Sequence, residues 1–297
     1  MQATGRLSVS VLGAGLIGLD LATKIMRSDR LDLRLVAGRN DAAPGLRRAA
    51  RRGLPVATGG IRSLVDAEED FDVVFDATNA SCHAEHAEKL AASGALLVDL
   101  TPSRAGQMIV PTVNRADIGS HRDISMVTCG GQACVPILHA IAKAHEIDHI
   151  EVVTTAATLS VGHASRLNLD EYVATTQDAI RWFTGVENVK ALVNISPARP
   201  AATFRVAMYL LGRDLTTASV RSLVAGAAAE IRSYVRGFDV GVCTVDGSMA
   251  FVSVEVTSAG DRLPHYAGNL DIINSAAIQA AECYAADRLA LAGRETA

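Results

Sequence analysis

The strongest constraint on the fold is a six-residue glycine pattern and its place in the chain. Gly13-Ala14-Gly15-Leu16-Ile17-Gly18 follows directly on the apolar run Leu7–Leu12 and opens an amphipathic stretch. Between a strand and a helix, the first glycine permits a tight turn, the second lets a pyrophosphate approach the backbone, and the third lets helix and strand pack closely. The helix N-terminus adds N–H donors and a positive dipole end. The context predicts a nicotinamide dinucleotide held by Gly13, Ala14, Gly15, Leu16 and Ile17. An acidic residue that would hold the ribose 2′-OH is expected about 20 residues on, where this chain reads Gly38-Arg39-Asn40. Arg39 can pair with a 2′-phosphate and Asn40 can hydrogen-bond a ribose, so NAD and NADP are both admitted. A solvated loop arginine is the alternative reading of Arg39.

From Leu7 to Ile124, short aliphatic runs alternate with loops and amphipathic stretches, the pattern of βαβ units and a parallel sheet. Strands are predicted at Leu7–Leu12, Leu33–Ala37, Val73–Asp76, Leu96–Asp99 and Ile124–Thr128. Gly53 and Gly94 stand where helices end in a left-handed residue, and Pro44 where a helix begins. Beyond about residue 146 the strands lengthen: Ile150–Ala156, Lys190–Ile195, Thr203–Leu211, Phe238–Val245 and Met249–Thr257, with helices at Leu169–Phe183 and Thr216–Val235. Asp246-Gly247 reads as a hairpin turn that makes the last two strands antiparallel neighbours. The fold class is therefore α/β: a Rossmann-like dinucleotide-binding domain over residues 1–130 and an α+β mixed-sheet catalytic and dimerisation domain over 131–270. A final helix is predicted at Asp271–Leu291, and the C-terminal helical segment 271–297 is expected to pack back on the first domain, as such a helix often does in two-domain dehydrogenases.

Composition excludes several classes. With 49% apolar residues in 297, the chain can bury a sizeable core. A formal charge of −4, without a long Lys/Arg block, argues against nucleic acid. No apolar stretch approaches the ~20 residues that span a bilayer, and the N-terminal residues do not read as a signal peptide, so a soluble, cytoplasmic protein is expected. The five cysteines (Cys82, Cys129, Cys134, Cys243, Cys283) are odd in number and lack CxxC pairs, which fits a reducing compartment.

One cysteine has a chemical setting. Cys129-Gly130-Gly131-Gln132 follows the Ile124–Thr128 run and precedes a helical stretch read at Val135–Ala144. A cysteine at such a turn faces helix N–H groups, which are expected to lower its pKa and to hold the oxyanion of a tetrahedral intermediate. The alternative, a buried inert thiol, is the common fate of an isolated cysteine. The glycines and the preceding dinucleotide unit favour the nucleophile.

Taken together, Gly13–Gly18, Asp76-Ala77-Thr78, Asp99-Leu100-Thr101-Pro102, Val127-Thr128-Cys129-Gly130-Gly131-Gln132-Ala133 and Ala267-Gly268-Asn269-Leu270-Asp271-Ile272 resemble the acetylating acetaldehyde dehydrogenases, over residues 7 to 290. The resemblance implies exchange of an aldehyde with an acyl-CoA through a thioester on Cys129, with NAD as cofactor and CoA as co-substrate. It makes Ser160, Val161, Gly162, His163, Ala164, Ser165, Arg166, Leu167 and Asn168 a second cofactor-contacting loop, and Asn269 a late cofactor contact. It implies a homodimer or larger assembly and an aldolase partner of the 4-hydroxy-2-oxovalerate type. Read without it, Ser160–Asn168 is a polar connection and Asn168 an N-cap. Three departures bear on the substrate: Arg205-Val206 replaces the family's Arg-Asp, Gly162-His163-Ala164 replaces Gly-Pro-Gly, and the segment between Tyr234 and Pro264 is short. The acyl group, acetyl or larger, is therefore open.

Other clusters read more blandly. His163 near the matched loop is either a base or a solvent-facing histidine. His83 and His86 share a helix face without a third ligand at a metal-binding spacing, and are expected at the surface. Arg47, Arg48, Arg51 and Arg52 read as a solvated helix face. Two other functions compete: a phosphate-dependent semialdehyde dehydrogenase, and a catalytically idle scaffold for an aldolase.

Overall fold

The first apolar run forms β1 (Leu7–Leu12), nearly all buried, as a parallel strand covered on both faces must be. In the computed structural model, which describes residues 5–258 and 263–295, the alternation continues through α1 (Leu16–Ile25), β2 (Leu31–Gly38), α2 (Pro44–Arg51), β3 (Val56–Thr58), α3 (Arg62–Val65), β4 (Val73–Asp76), α4 (Ala80–Leu90), β5 (Leu96–Asp99), β6 (Gln107–Met108) and β7 (Asp123–Ser125). These strands form one sheet in the order β3-β2-β1-β4-β5-β7-β6, parallel throughout. The order reverses between β1 and β4, the switch point of a doubly wound fold. Strands β3 and β6, at three and two residues, escape a sequence reading because they are too short to show a period. Gly53 (φ 73°) and Gly94 (φ 71°) are left-handed, as helix ends favour.

The rest of the chain forms α5 (Cys129–Ala144), β8 (Ile147–Ala157), α6 (His163–Leu167), α7 (Leu169–Thr184), β9 (Val189–Ser196), β10 (Phe204–Gly212), α8 (Thr217–Arg232), β11 (Phe238–Asp246), β12 (Met249–Val256) and α9 (Gly268–Glu295). The second sheet runs β11-β12-β10-β8-β9 and is antiparallel except for the parallel β8–β9 pair, whose crossover carries α7. In β10, Phe204, Val206, Met208 and Leu210 are buried on one face, while Arg205, Tyr209 and Leu211 are exposed on the other. Helices α5, α7 and α8 pack against the strands of this sheet.

Two units result, Met1–Met126 with Ala277–Ala297, and Val127–Ala276. In the first, the end of α9 is tied by Ser28 Oγ to Glu282 Oε1 at 2.6 Å and by Arg288 Nη1 to Asp72 Oδ1 at 2.7 Å. Residues 1–4 and 296–297, and 259–262 within the short segment before Pro264, lie outside the described residues.

Two local readings are corrected. The hairpin turn is Gly247-Ser248, because Asp246 still pairs with Met249, and Gly247 supplies the positive φ of 56°. The strand before Cys129 stops at Ser125 and the helix starts at Cys129, six residues ahead of the apolar periodicity. Val127 (φ 61°) breaks the strand, and Thr128 caps the helix by accepting the Gly131 N–H at 2.9 Å.

Candidate active site

In the first unit the glycines have separate jobs. Gly13 has φ 106°, and a Cβ there would lie 2.5 Å from the Ala77 carbonyl oxygen. A Cβ on Gly18 would lie 1.9 Å from the Gly13 oxygen, so residue 18 closes the loop onto the start of α1. A Cβ on Gly15 would meet nothing within 4 Å. The loop is thus tight where it packs and open at its middle glycine, beside the amides of a ten-residue helix. That cradle fits a pyrophosphate. Gly18→Ala must push the loop out of place, and NADH affinity is expected to fall by roughly tenfold or more, the effect of losing about 1.4 kcal/mol. A fluorescence titration returning the wild-type affinity would contradict this reading of the loop. Arg39 and Asn40 are exposed just after β2, as are Arg47, Arg48 and Arg51 of α2 and Arg52 after it.

His83 and His86 are not surface residues. Their exposures are 0% and 8%, and both turn inward from α4 onto the ends of β4 and β5. Asp76 Oδ2 meets His83 Nδ1 at 3.0 Å and His86 Nδ1 at 2.8 Å; His83 Nε2 lies 3.2 Å from both carboxylate oxygens of Asp123, and Asp99 Oδ1 is 3.5 Å from His83 Nδ1. The helix period places the two histidines on one face, but only the fold brings three strands' carboxylates beneath them. Burial pushes His83 down, yet the hydrogen bonds its ring donates to Asp123 and Asp76, with the charge of Asp99, bring it up to about 10. Burial likewise works against ionised Asp76, but His83 and His86 hold it at about 2; burial raises Asp99 to about 7. Asp76, His83 and Asp99 group their ligand atoms within 4.8 Å of one another.

In the second unit, Cys129 is the first residue of α5 and is partly exposed. Its Sγ lies 3.4 Å from Tyr172 Oη, which also accepts the Gly130 N–H at 3.0 Å. Tyr172 and Thr176 are one turn apart on α7 and face this helix end together. Thr176 Oγ1 gives its proton to the Tyr172 carbonyl at 2.7 Å, so Thr128 Oγ1, 2.8 Å away, must donate to it. Residue 130 must be glycine, because a Cβ would lie 2.5 Å from Tyr172 Oη and 2.6 Å from Thr154 Oγ1.

This geometry changes the expectation for the thiol. Burial raises Cys129 to about 11, outweighing the Tyr172 hydrogen bond and the Gly130 amide. The thiol is therefore protonated at neutral pH in this form. Nor are the next three amides of the turn free for an oxyanion: Gly130 N–H goes to Tyr172, Gly131 N–H to Thr128 Oγ1, and Gln132 N–H to the Thr128 carbonyl at 2.8 Å. Gln132 is fully buried.

The Ser160–Asn168 segment is a turn followed by α6. Ser160 is buried, and its carbonyl accepts the Asn269 Nδ2–H at 3.0 Å, so the loop and the late asparagine do meet. Arg166 is turned back onto the Val161 and Thr158 carbonyls at 3.2 and 2.8 Å. Gly162 precedes α6 and His163 opens it exposed, with Ala164 and Ser165 following; Leu167 is exposed. Asn168 stands at the N-cap position of α7, but its side chain does not make the capping bond. Tyr172, Thr154 and Thr176 are absent from the sequence reading; the four-residue spacing of Tyr172 and Thr176 was the only signal.

The glycine loop of the first unit has the form of a dinucleotide cradle, the mark of a nicotinamide-linked oxidoreductase, and the second unit carries a cysteine at a helix start. Sequence-family profiles agree: residues 8–121 match "semialdehyde dehydrogenase, NAD binding domain", and residues 129–264 match "prokaryotic acetaldehyde dehydrogenase, dimerisation". Acetaldehyde dehydrogenase of Streptomyces griseus is 47% identical over 279 residues, 94% of this chain and 90% of its own. That of Geobacillus stearothermophilus is 38% identical over 289 residues, 96% and 98% of the two chains. The chain belongs to the acetaldehyde dehydrogenase family and is an oxidoreductase of the aldehyde dehydrogenase type. Among solved structures, aspartate semialdehyde dehydrogenase II of Vibrio cholerae, complexed with ASA, shares the fold (TM-score 0.64, 16% identity, 95% and 99% coverage). The dimerisation match takes in the second sheet, whose open face exposes Leu192, Tyr209, Leu211, Val242 and Met249 to about 40% each, a face suited to a second copy. No described helix is long and apolar enough to cross a membrane.

Proposed function

We propose that this chain is a CoA-acylating aldehyde dehydrogenase, interconverting aldehyde, CoA and NAD(P)+ with acyl-CoA and NAD(P)H. One observation carries the reading: Cys129 opens α5 between a capping threonine and two glycines, with its sulfur in contact with a tyrosine hydroxyl. The Cys129 sulfur attacks the carbonyl carbon, a C–S bond forms, and the carbonyl π pair moves to oxygen. Loss of hydride from that carbon leaves a thioester, and the CoA thiolate then takes the acyl group while the Cys129 sulfur departs. A bound nicotinamide supplies acceptance or return of the hydride. The loop Gly13–Ile17 would hold its pyrophosphate, and the family resemblance makes Asn269 and the Ser160–Asn168 loop the residues that would supply further contacts.

The test follows reduced nicotinamide by its near-ultraviolet absorbance, using NADH and NADPH with acyl-CoAs from acetyl to aromatic. Oxidation dependent on acyl-CoA is expected, and the preferred pair names the acyl group and the dinucleotide. If acyl phosphates replace acyl-CoAs as substrates, the phosphate-dependent reading wins. If neither reacts while NADH binds, the chain is a scaffold.

A further inference from the structure

The nucleophile sits away from formal charge, and what stands beside it is a phenol. Among the described residues, the one side chain bonded to Cys129 Sγ is Tyr172, and no charged group contributes to the thiol's shift. The strand position that flanks this contact is apolar: Thr154 on β8 pairs directly with Val206 on β10, which is fully buried.

Proton bookkeeping fixes the direction of the bonds. An ionised sulfur can only accept, so the Tyr172 Oη–H must point at it. The phenol oxygen then accepts the Gly130 N–H at 3.0 Å and the hydroxyl hydrogen of Thr154. Two donors thus polarise one phenol, which passes their effect to the sulfur. Resting on the acylating reading above, we propose that Tyr172 is a catalytic residue: its hydroxyl donates to the Cys129 thiolate, relays the Gly130 amide and the Thr154 hydroxyl to it, and so governs ionisation of the nucleophile without a charged partner. The thiol proton leaves to solvent. When sulfur forms its bond to carbon it gives up the lone pair that Tyr172 held, and the same hydroxyl receives it again when the thioester is cleaved. Tyr172 itself stays protonated, since burial and the neighbouring sulfur hold it well above an ordinary phenol.

The decisive measurement is alkylation of Cys129 by iodoacetamide, quantified on its own peptide by mass spectrometry across pH, in wild type and Tyr172→Phe. It needs no substrate, so it is independent of the acylating reading. In wild type the rate should climb about tenfold per pH unit from neutrality, as expected for a thiol at about 11. Tyr172→Phe should move the profile up by about one pH unit, lowering the rate roughly tenfold at a fixed pH on the rising limb. In turnover, kcat should fall while the acyl-CoA KM and NADH affinity hold. Superimposed profiles and equal kcat would overturn the proposal; so would a drop in kcat with an unmoved profile. If Tyr172→Phe fails to fold, Thr154→Val removes one donor to the phenol without touching Cys129, and must shift the profile the same way by a smaller amount; no shift overturns the relay. A shifted profile in a protein that turns over no acyl-CoA sinks the acylating reading and leaves the thiol relay standing.

Discussion

Cys129→Ala should fold, bind NADH as the wild type does, and lose acyl transfer by roughly 10⁴-fold or more, because a covalent route cannot proceed without its nucleophile. The side chain is small and partly exposed, so its removal opens little cavity, and stability should change by no more than about 1 kcal/mol. The helix start does not depend on it, since Thr128 makes the capping bond. Intact-mass spectrometry after mixing with acyl-CoA should find the acyl adduct on wild type and none on the variant. Full turnover by the alanine protein would end the covalent mechanism, whatever the acyl group.

The second large effect lies away from the thiol. His83→Ala removes the cation from a cluster holding Asp76, Asp99 and Asp123, leaving buried carboxylates uncompensated at a cost of about 3–5 kcal/mol. A denaturant titration reads this directly, and a loss under about 1 kcal/mol would mean the cluster does not hold α4 to the sheet. The pH signature is specific. His83 in the fold, at about 10, lies above its ordinary 6.5, so its contribution is complete below 6.5 and is lost as pH rises toward 10. Asp99, raised from 3.8 to about 7, adds a decline across that lower window. Asp76, held at about 2 below its ordinary 3.8, gives stability that disappears only as pH falls through that range. Wild type should therefore weaken as pH rises, from about 4 to 7 through Asp99 and from 6.5 toward 10 through His83, and the slope above 7 should be shallower in the variant.

Much of the architecture was legible because parallel strands buried on both faces read as unbroken aliphatic runs, and Gly13 to Gly18 fixed the first crossover. Boundaries failed where a side chain overruled periodicity. Thr128 starts α5 by capping, which the apolar pattern from Val135 onward does not reveal. The histidines of α4 were misplaced because the carboxylates that draw them inward come from β4, β5 and β7, remote in sequence. Cys129 was singled out by its glycines. Its partner was not, since Tyr172 reaches it across 43 residues and only the folded packing of α7 on α5 joins them.

A phenol beside the sulfur also has a colloidal consequence. Ions in solution weaken attraction between charges over about 8 Å at physiological strength, but they have little purchase on a contact between a neutral hydroxyl and a sulfur in van der Waals reach. A thiolate supported by a nearby lysine or histidinium would lose reactivity as salt is added. Cys129, leaning on Tyr172 at 3.4 Å, should keep its alkylation rate nearly constant from dilute buffer to high potassium chloride.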